Sequence, residues 1–166
     1  KVVAEVLRER RDYISTRVIK VIKASPFRIQ APCSFFGECT GCQWQHVQYA
    51  HQLEMKQQIV LDCLARIGGI SNVSVLPTIP SPLELGYRNH ARFTVSREGG
   101  RLGFIHRETR RHVDIDHCLL MTPWINGALG KLQGRVAETT QVSARYGVNT
   151  REGMLQPKLR NPDIPL

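Results

Sequence analysis

No stretch of this sequence stays apolar for more than a few residues, which excludes a membrane-spanning helix, since that needs about 20 in succession. The first residues, KVVAEVLRERRDY, alternate and carry charge instead of forming the apolar core of a secretory signal. Cysteine is scarce: five occur in 166 residues, an odd number at uneven spacing. That disfavours a disulfide framework and makes a reducing cytoplasm the expected compartment. Carboxylates are also short, with 14 Asp and Glu against 23 Lys and Arg, leaving a net charge of +9. Such an excess points to a polyanionic partner, because basic side chains meeting phosphates release condensed counterions. Hydrophobic residues at 42% and charged residues at 22% are ordinary proportions and exclude wholesale disorder. The length suits one domain with a core and part of a second.

What is present divides into segments. Residues 1 to 23 read as two strands, VVAEVL and YISTRVIKVIK, joined by the charged turn RERRD. Two β-branched strands alone bury no core, so they read as the end of a small β-barrel, and the chain as a piece of a longer one. Pro26 and Pro32 break regular structure and mark a linker, placing a boundary near residue 26. In YAHQLEMKQQIVLDCLARIGGI, Leu53, Val60, Leu64 and Ile67 recur at helical spacing, and Gly68 and Gly69 end the run. A helix of about 18 residues, roughly 27 Å long, is expected there. Residues 71 to 87, with Pro77, Pro80 and Pro82, read as a strand and an extended loop.

Three candidate strands follow, HARFTVS, RLGFIH and RHVDID, separated by the turns REGG and RETR. Alternation puts Phe93, Val95, Leu102, Phe104, Val113 and Ile115 on one side and Arg92, Thr94, Ser96, Arg101 and His112 on the other. The result is an antiparallel meander with one buried face and one polar, mainly basic face. Thr122 and Pro123 form a helix start, as N-cap and first-turn proline. Ile125, Leu129, Leu132 and Val136 continue as a stripe on which the sheet can pack. TQVSARYGVN and GMLQPKL read as two further strands, and RNPDIPL adds no closing element. The expected class is α+β: an antiparallel or mixed sheet packed with two helices and a cysteine-rich loop, preceded by the last two strands of a small barrel.

The segment PCSFFGECTGCQW places Cys33, Cys39 and Cys42 within ten positions. Gly37 and Gly41 let the backbone reverse so that the sulfurs face one point. Thiolates gathered this way repel one another unless a cation lies among them, and soft sulfur selects zinc or an iron–sulfur cluster. A closed site needs a fourth ligand. His46 would complete a Cys3His zinc site. Cys118, where the chain leaves HVDID, is free to turn its sulfur toward a metal. Cys63 lies in the run Ile59, Cys63, Ile67 on an apolar helical stripe and reads as a small core residue. The residues alone leave Cys118 and His46 as rivals.

In order along the chain, APCSFFGECTGCQWQH, LEMKQQIVLDCLARIGGI, SPLELGYRNHARFTV, GRLGFIHR, VDIDHCLL and RYGVNT resemble the RNA uracil-5 methyltransferases that use S-adenosylmethionine and carry an iron–sulfur cluster. This is the group that modifies 23S ribosomal RNA in bacteria. The resemblance implies a 4Fe-4S cluster held by Cys33, Cys39, Cys42 and Cys118. It also implies that residues 1–26 end a TRAM domain, a small RNA-binding barrel, and that residues 27–166 are a central iron–sulfur and RNA-binding domain. Members of the family end in a Rossmann-like domain, where a cysteine adds to carbon-6 of uracil and activates carbon-5 for methylation. No glycine-rich strand-to-helix turn for that cofactor occurs in this sequence. The chain is therefore expected to stop before the catalytic half, so that S-adenosylmethionine belongs to the parent enzyme and no catalytic residue is assigned.

The implied partner is RNA, 23S ribosomal RNA first, bound by a monomer away from any membrane. Arg88, Arg92, Arg97, Arg101, Arg107, Arg110 and Arg111 are candidates for phosphate contacts, since guanidinium groups bond phosphates bidentately. Asn89 or His90 is placed to read a base edge in an unstacked loop. Arg10, Arg11, Lys20 and Lys23 from the barrel remnant would extend the surface. Trp44 and Tyr87 are candidates for stacking a base, with covering the cluster or core as the competing role.

Overall fold

Antiparallel strands β1 (Val2–Glu9) and β2 (Ile14–Val21) open the chain as a free hairpin. The computed structural model describes residues 1–160, so the end of RNPDIPL and of the 27–166 segment lies outside the described residues. Neither strand buries a side chain: Val6 and Ile19 remain 60% and 65% exposed. A two-stranded ribbon has no opposing layer, which is why its β-branched residues gain nothing by alternation here. Arg17 links the hairpin to the remainder, with its guanidinium 2.7 Å from Glu5 across the ribbon and 3.4 Å from Glu108.

Helix α1 (Tyr49–Arg66) has the expected length of 18 residues, but it buries none of them. Its half-buried side, which includes Tyr49, Gln52, Leu53 and Leu64, faces the proline-rich segment that follows. That segment forms no strand, correcting the expectation for residues 71 to 87. Its three prolines lack the N–H a ladder needs, and α1 holds the backbone with side chains instead. Gln57 Nε2 donates to the Val75 carbonyl at 2.7 Å, and Thr78 Oγ1 donates to that of Leu53 at 3.0 Å. The Ser81 N–H donates to the Tyr49 hydroxyl at 2.7 Å. The apolar stripe read from spacing is only partly right: Val60 and Ile67 are 46% and 85% exposed. Cys63, expected in the core, is exposed beside Ile59.

The core belongs to a five-stranded antiparallel sheet and one helix. Strands β3 (His90–Val95), β4 (Leu102–Ile105), β5 (His112–Asp114), β6 (Gln141–Gly147) and β7 (Glu152–Gln156) lie in the order β5-β4-β3-β6-β7. Between β5 and β6 runs α2 (Pro123–Leu132), with Thr122 as N-cap and Pro123 in the first turn. Its stripe Ile125, Leu129 and Leu132, with Val136 beyond the helix end, is fully buried against Phe93, Leu102, Val142 and Ala144. Each such side chain contributes roughly 1.5–3 kcal/mol by burial, so this layer pair carries the stability. Gln133 at the helix end locks the layers: Oε1 accepts from the Leu102 N–H at 2.8 Å, and Nε2 donates to the carbonyls of Leu102 and Ile115 at 3.0 and 2.6 Å. Trp124 lies against β6 and β7, stacked on Tyr146 at 5.4 Å, and its ring fills the space that a Cβ on Gly153 would need.

Candidate metal centre and nucleic-acid interface

Short backbone bonds coil the cysteine loop. The Phe36 N–H donates to the Cys33 carbonyl at 3.2 Å, and the Cys39 N–H donates to that of Phe35 at 2.9 Å. Gly37 takes the left-handed conformation at φ 100°, which a side chain would strain. The loop is stitched to the turn between β4 and β5 by a bridge from Cys39 to His106 and by the Arg107 N–H donating to the Glu38 carbonyl. Gln45 straps it from inside: Oε1 accepts from the Cys33 N–H at 3.3 Å while Nε2 donates to Cys42 Sγ at 3.1 Å. On the far side, Cys118 follows β5 and its peptide is held by Asn126 of α2.

These elements bring Cys33, Cys39, Cys42 and Cys118 around one cavity, walled by Phe35, Phe36, Phe104 and Ile115. All four are free thiols and half-buried. Burial pushes the thiols of Cys39 and Cys42 up, and Cys118 raises both further as a neighbouring sulfur. The N–H of Gly41 lowers Cys39, the amide of Gln45 lowers Cys42, and the charge of Arg88 lowers both. Arg88 thus faces the sulfurs as well as solvent. His46 does not line the cavity: its ring sits 5.3 Å from that of Phe36, and its buried Nδ1 has no hydrogen-bond partner. Burial, then the charge of Arg28, lowers its pKa. Among the described residues no three His, Cys, Asp or Glu side chains are gathered tightly enough to hold a single metal ion. The Gly41 N–H at 3.3 Å and the Gln45 amide at 3.1 Å aim donors at the sulfurs of Cys39 and Cys42, an arrangement suited to electron-rich sulfur.

The candidate RNA residues are spread over the sheet face, both ends of β3, the turn after β4 and the hairpin. Arg92 and Arg101 lie on the open sheet face, where Arg92 bonds Gln141 and Arg101 is tied to Asp114 at 2.7 Å. Thr94 and His112 share that face, with the His112 ring 3.0 Å from the Thr94 carbonyl and 2.9 Å from Asp114. It passes over Gly103, where a Cβ would come within 2.7 Å of it. Asn89 and His90 are exposed at the start of β3, and Arg97 is in the turn after it. Arg107, Arg110 and Arg111 cluster in the turn after β4, next to the cysteine loop, with Arg110 in the left-handed region at φ 59°. Arg10, Arg11, Lys20 and Lys23 are exposed on or beside the hairpin. Lying outside those sequence readings, Arg145 of β6 pairs with His90 and Met154 in one row across the sheet and is exposed.

No protein-family profile matches the chain. An uncharacterized RNA methyltransferase of Halalkalibacterium halodurans is 36% identical over 178 residues, covering 98% of this chain and 39% of the relative. One from Aquifex aeolicus is 42% identical over 123 residues, covering 74% of this chain and 28% of the relative, and one from Synechocystis is 36% identical over 120 residues. The chain belongs to this RNA methyltransferase family. It spans between 26% and 39% of the length of these relatives.

In this member of the RNA methyltransferase family, three positions at the candidate sites escape sequence reasoning. Gln45 and Asn126 act on cysteines through side-chain amides, and an amide carries no recognisable spacing. Arg145 is an isolated arginine in its strand, and only the register against His90 shows that it joins the basic face. No described helix is long and apolar enough to cross a membrane.

Proposed function

We propose that this chain is the iron–sulfur and RNA-recognising portion of an S-adenosylmethionine-dependent uracil-5 methyltransferase acting on 23S ribosomal RNA, monomeric and cytoplasmic. On this reading, residues 1–26 are the end of a TRAM barrel and residues 27–166 the central domain. One observation carries it: Cys118, far downstream of the other three cysteines, lines the same cavity as Cys33, Cys39 and Cys42. Those four thiols would hold a 4Fe-4S cluster, which supplies a covalent pin between the loop and the sheet and a site able to store an electron. Transfer of a methyl group to an activated uracil needs no electron, so the chain's own residues favour the structural role. They join a segment near residue 33 to residue 118 and so fix the loop beside the basic sheet. The arginines of that sheet and the turn after β4 would position the ribose–phosphate chain, while S-adenosylmethionine and the attacking cysteine belong to the remainder of the enzyme.

A second reading is a zinc-binding nucleic-acid adaptor using Cys33, Cys39, Cys42 and His46. The position of the His46 ring against Phe36, outside the cavity, speaks against it. Anaerobic purification with iron, sulfide and zinc analysis tests both. The expected outcome is iron and acid-labile sulfide in equal amounts, lost in Cys118→Ser and kept in His46→Ala. One zinc per chain, unaffected by Cys118→Ser, would overturn the cluster reading.

A further inference from the structure

Beside the cysteine cavity opens a larger cleft, of about 520 Å³, between the start of α1 and the segment leading into β3. Its lining includes Trp44, Tyr49, Lys56, Glu84, Tyr87 and Arg88. Three aromatic side chains, two cations and one carboxylate on facing walls are an unusual combination for a surface fold with only 7% aromatic residues. The walls are built, not fluid. Gln52 Nε2 donates to the carbonyls of Trp44 and Val47 at 3.1 and 2.9 Å, fixing the Trp44 turn onto α1. On the opposite wall the Ser81 N–H donates to the Tyr49 hydroxyl, and the Arg88 N–H to the Leu120 carbonyl at 2.7 Å. Tyr87 remains half exposed, so its ring is not used up in packing.

We propose that this cleft binds one unstacked nucleotide of single-stranded RNA, the base against Trp44 or Tyr87 and the phosphate toward Lys56 or Arg88. The inference rests on the RNA-binding function proposed above and adds a place and a chemistry to it. Aromatic faces take any base, since each base presents a π-surface, and the adjacent cations take its phosphate. The volume lies within the range of small-molecule sites. Glu84 is an acceptor in the same cleft, suited to a base N–H or a ribose 2′-hydroxyl, and it would repel a second phosphate. Arg88 also faces the thiols, so the cleft and the cysteine cavity share a wall, together with Cys42 and Gln45.

The test uses the chain purified anaerobically and a fluorescein-labelled heptamer of uridine, with 5-iodouridine at each position in turn for photo-cross-linking. Cross-links are expected at Trp44 or Tyr87, located by peptide mass spectrometry. Trp44→Ala and Tyr87→Ala should each weaken binding by at least about fivefold, with Trp44→Phe close to wild type. Lys56→Gln, on an exposed helix position that leaves the fold alone, should weaken binding and flatten its salt dependence. Cross-links confined to the sheet and the turn after β4, with binding unchanged in Trp44→Ala, Tyr87→Ala and Lys56→Gln, would overturn the cleft and leave RNA binding intact. No binding of the oligomer at low salt by the wild-type chain would overturn the RNA reading itself.

Discussion

The carboxamide of Asn126 brackets the peptide of Cys118: Oδ1 accepts from its N–H at 2.9 Å and Nδ2 donates to its carbonyl at 3.0 Å. Without it the Cys118 N–H would have no partner, since only the carbonyl is served a second time, by the Met121 N–H at 3.0 Å, and the cysteine leaving its strand would have a free choice of direction. Asn126 removes both, using a helix whose buried stripe fixes where that amide sits.

Asn126→Ala should therefore cost about 1–3 kcal/mol, because it leaves the partly buried Cys118 N–H unpaired. On the iron–sulfur reading proposed above, it should also speed the loss of iron to a chelator, since Cys118 loses its support. Asn126→Asp keeps the acceptor and loses the donor, and should fall between. Thermal unfolding and the bleaching rate of visible absorbance read the two effects separately; unchanged bleaching in Asn126→Ala would remove the positioning role.

Gly153 offers an independent check on the layer beneath the sheet. The Trp124 ring occupies the space where a Cβ would stand, so Gly153→Ala must displace the ring or the strand. Overpacking of this kind costs about 1–3 kcal/mol. In a Trp44→Phe background the remaining indole is Trp124, and its emission should shift to the red as the ring is forced toward water. A stable variant with unshifted emission would mean that the ring lies elsewhere.

Much of this arrangement is legible in the sequence, and the limits have physical causes. The stripe Ile125, Leu129, Leu132 and Val136 and the alternation from Phe93 to Ile115 are periodic because they face one core, so period finds them. Helix α1 misleads the same method: its spacing is helical, but no layer covers Val60, Cys63 or Ile67. Burial depends on a partner, and periodicity records only the helix. The cysteine cavity shows a third case. Local spacing finds Cys33, Cys39 and Cys42, but that Cys118 lines their cavity and His46 does not follows from strand order and from Asn126, which no local pattern records.

His46 gives a dependence on pH with a definite sign. Burial and Arg28 hold its folded-state pKa below the ordinary 6.5, so the unfolded chain binds the proton more readily. Its contribution to stability is complete above about pH 6.5 and is lost as pH falls through the lower folded value. The difference in urea midpoint between wild type and His46→Phe should change in that direction between about pH 8 and pH 5. A difference that stays flat, or grows toward acid, would contradict the burial of the neutral ring.

The sheet face makes the last prediction, through charge that is already spent and charge that is not. Arg101 is held by Asp114, so its replacement removes an ion pair and little net attraction for a phosphate. Arg92 bonds a neutral amide, Gln141, and keeps its whole charge available. Arg145 lies on the same face, opposite His90 and one pair of residues further along the β3–β6 ladder. Arg92→Ala and Arg145→Ala should each lower the slope of log affinity against log salt by about 0.7 for a single-stranded oligoribonucleotide. Arg101→Ala should change the slope much less. Fluorescence anisotropy titrations between about 50 and 200 mM potassium chloride measure all three, and equal slopes for the three variants would show that the sheet face is not where the phosphates lie.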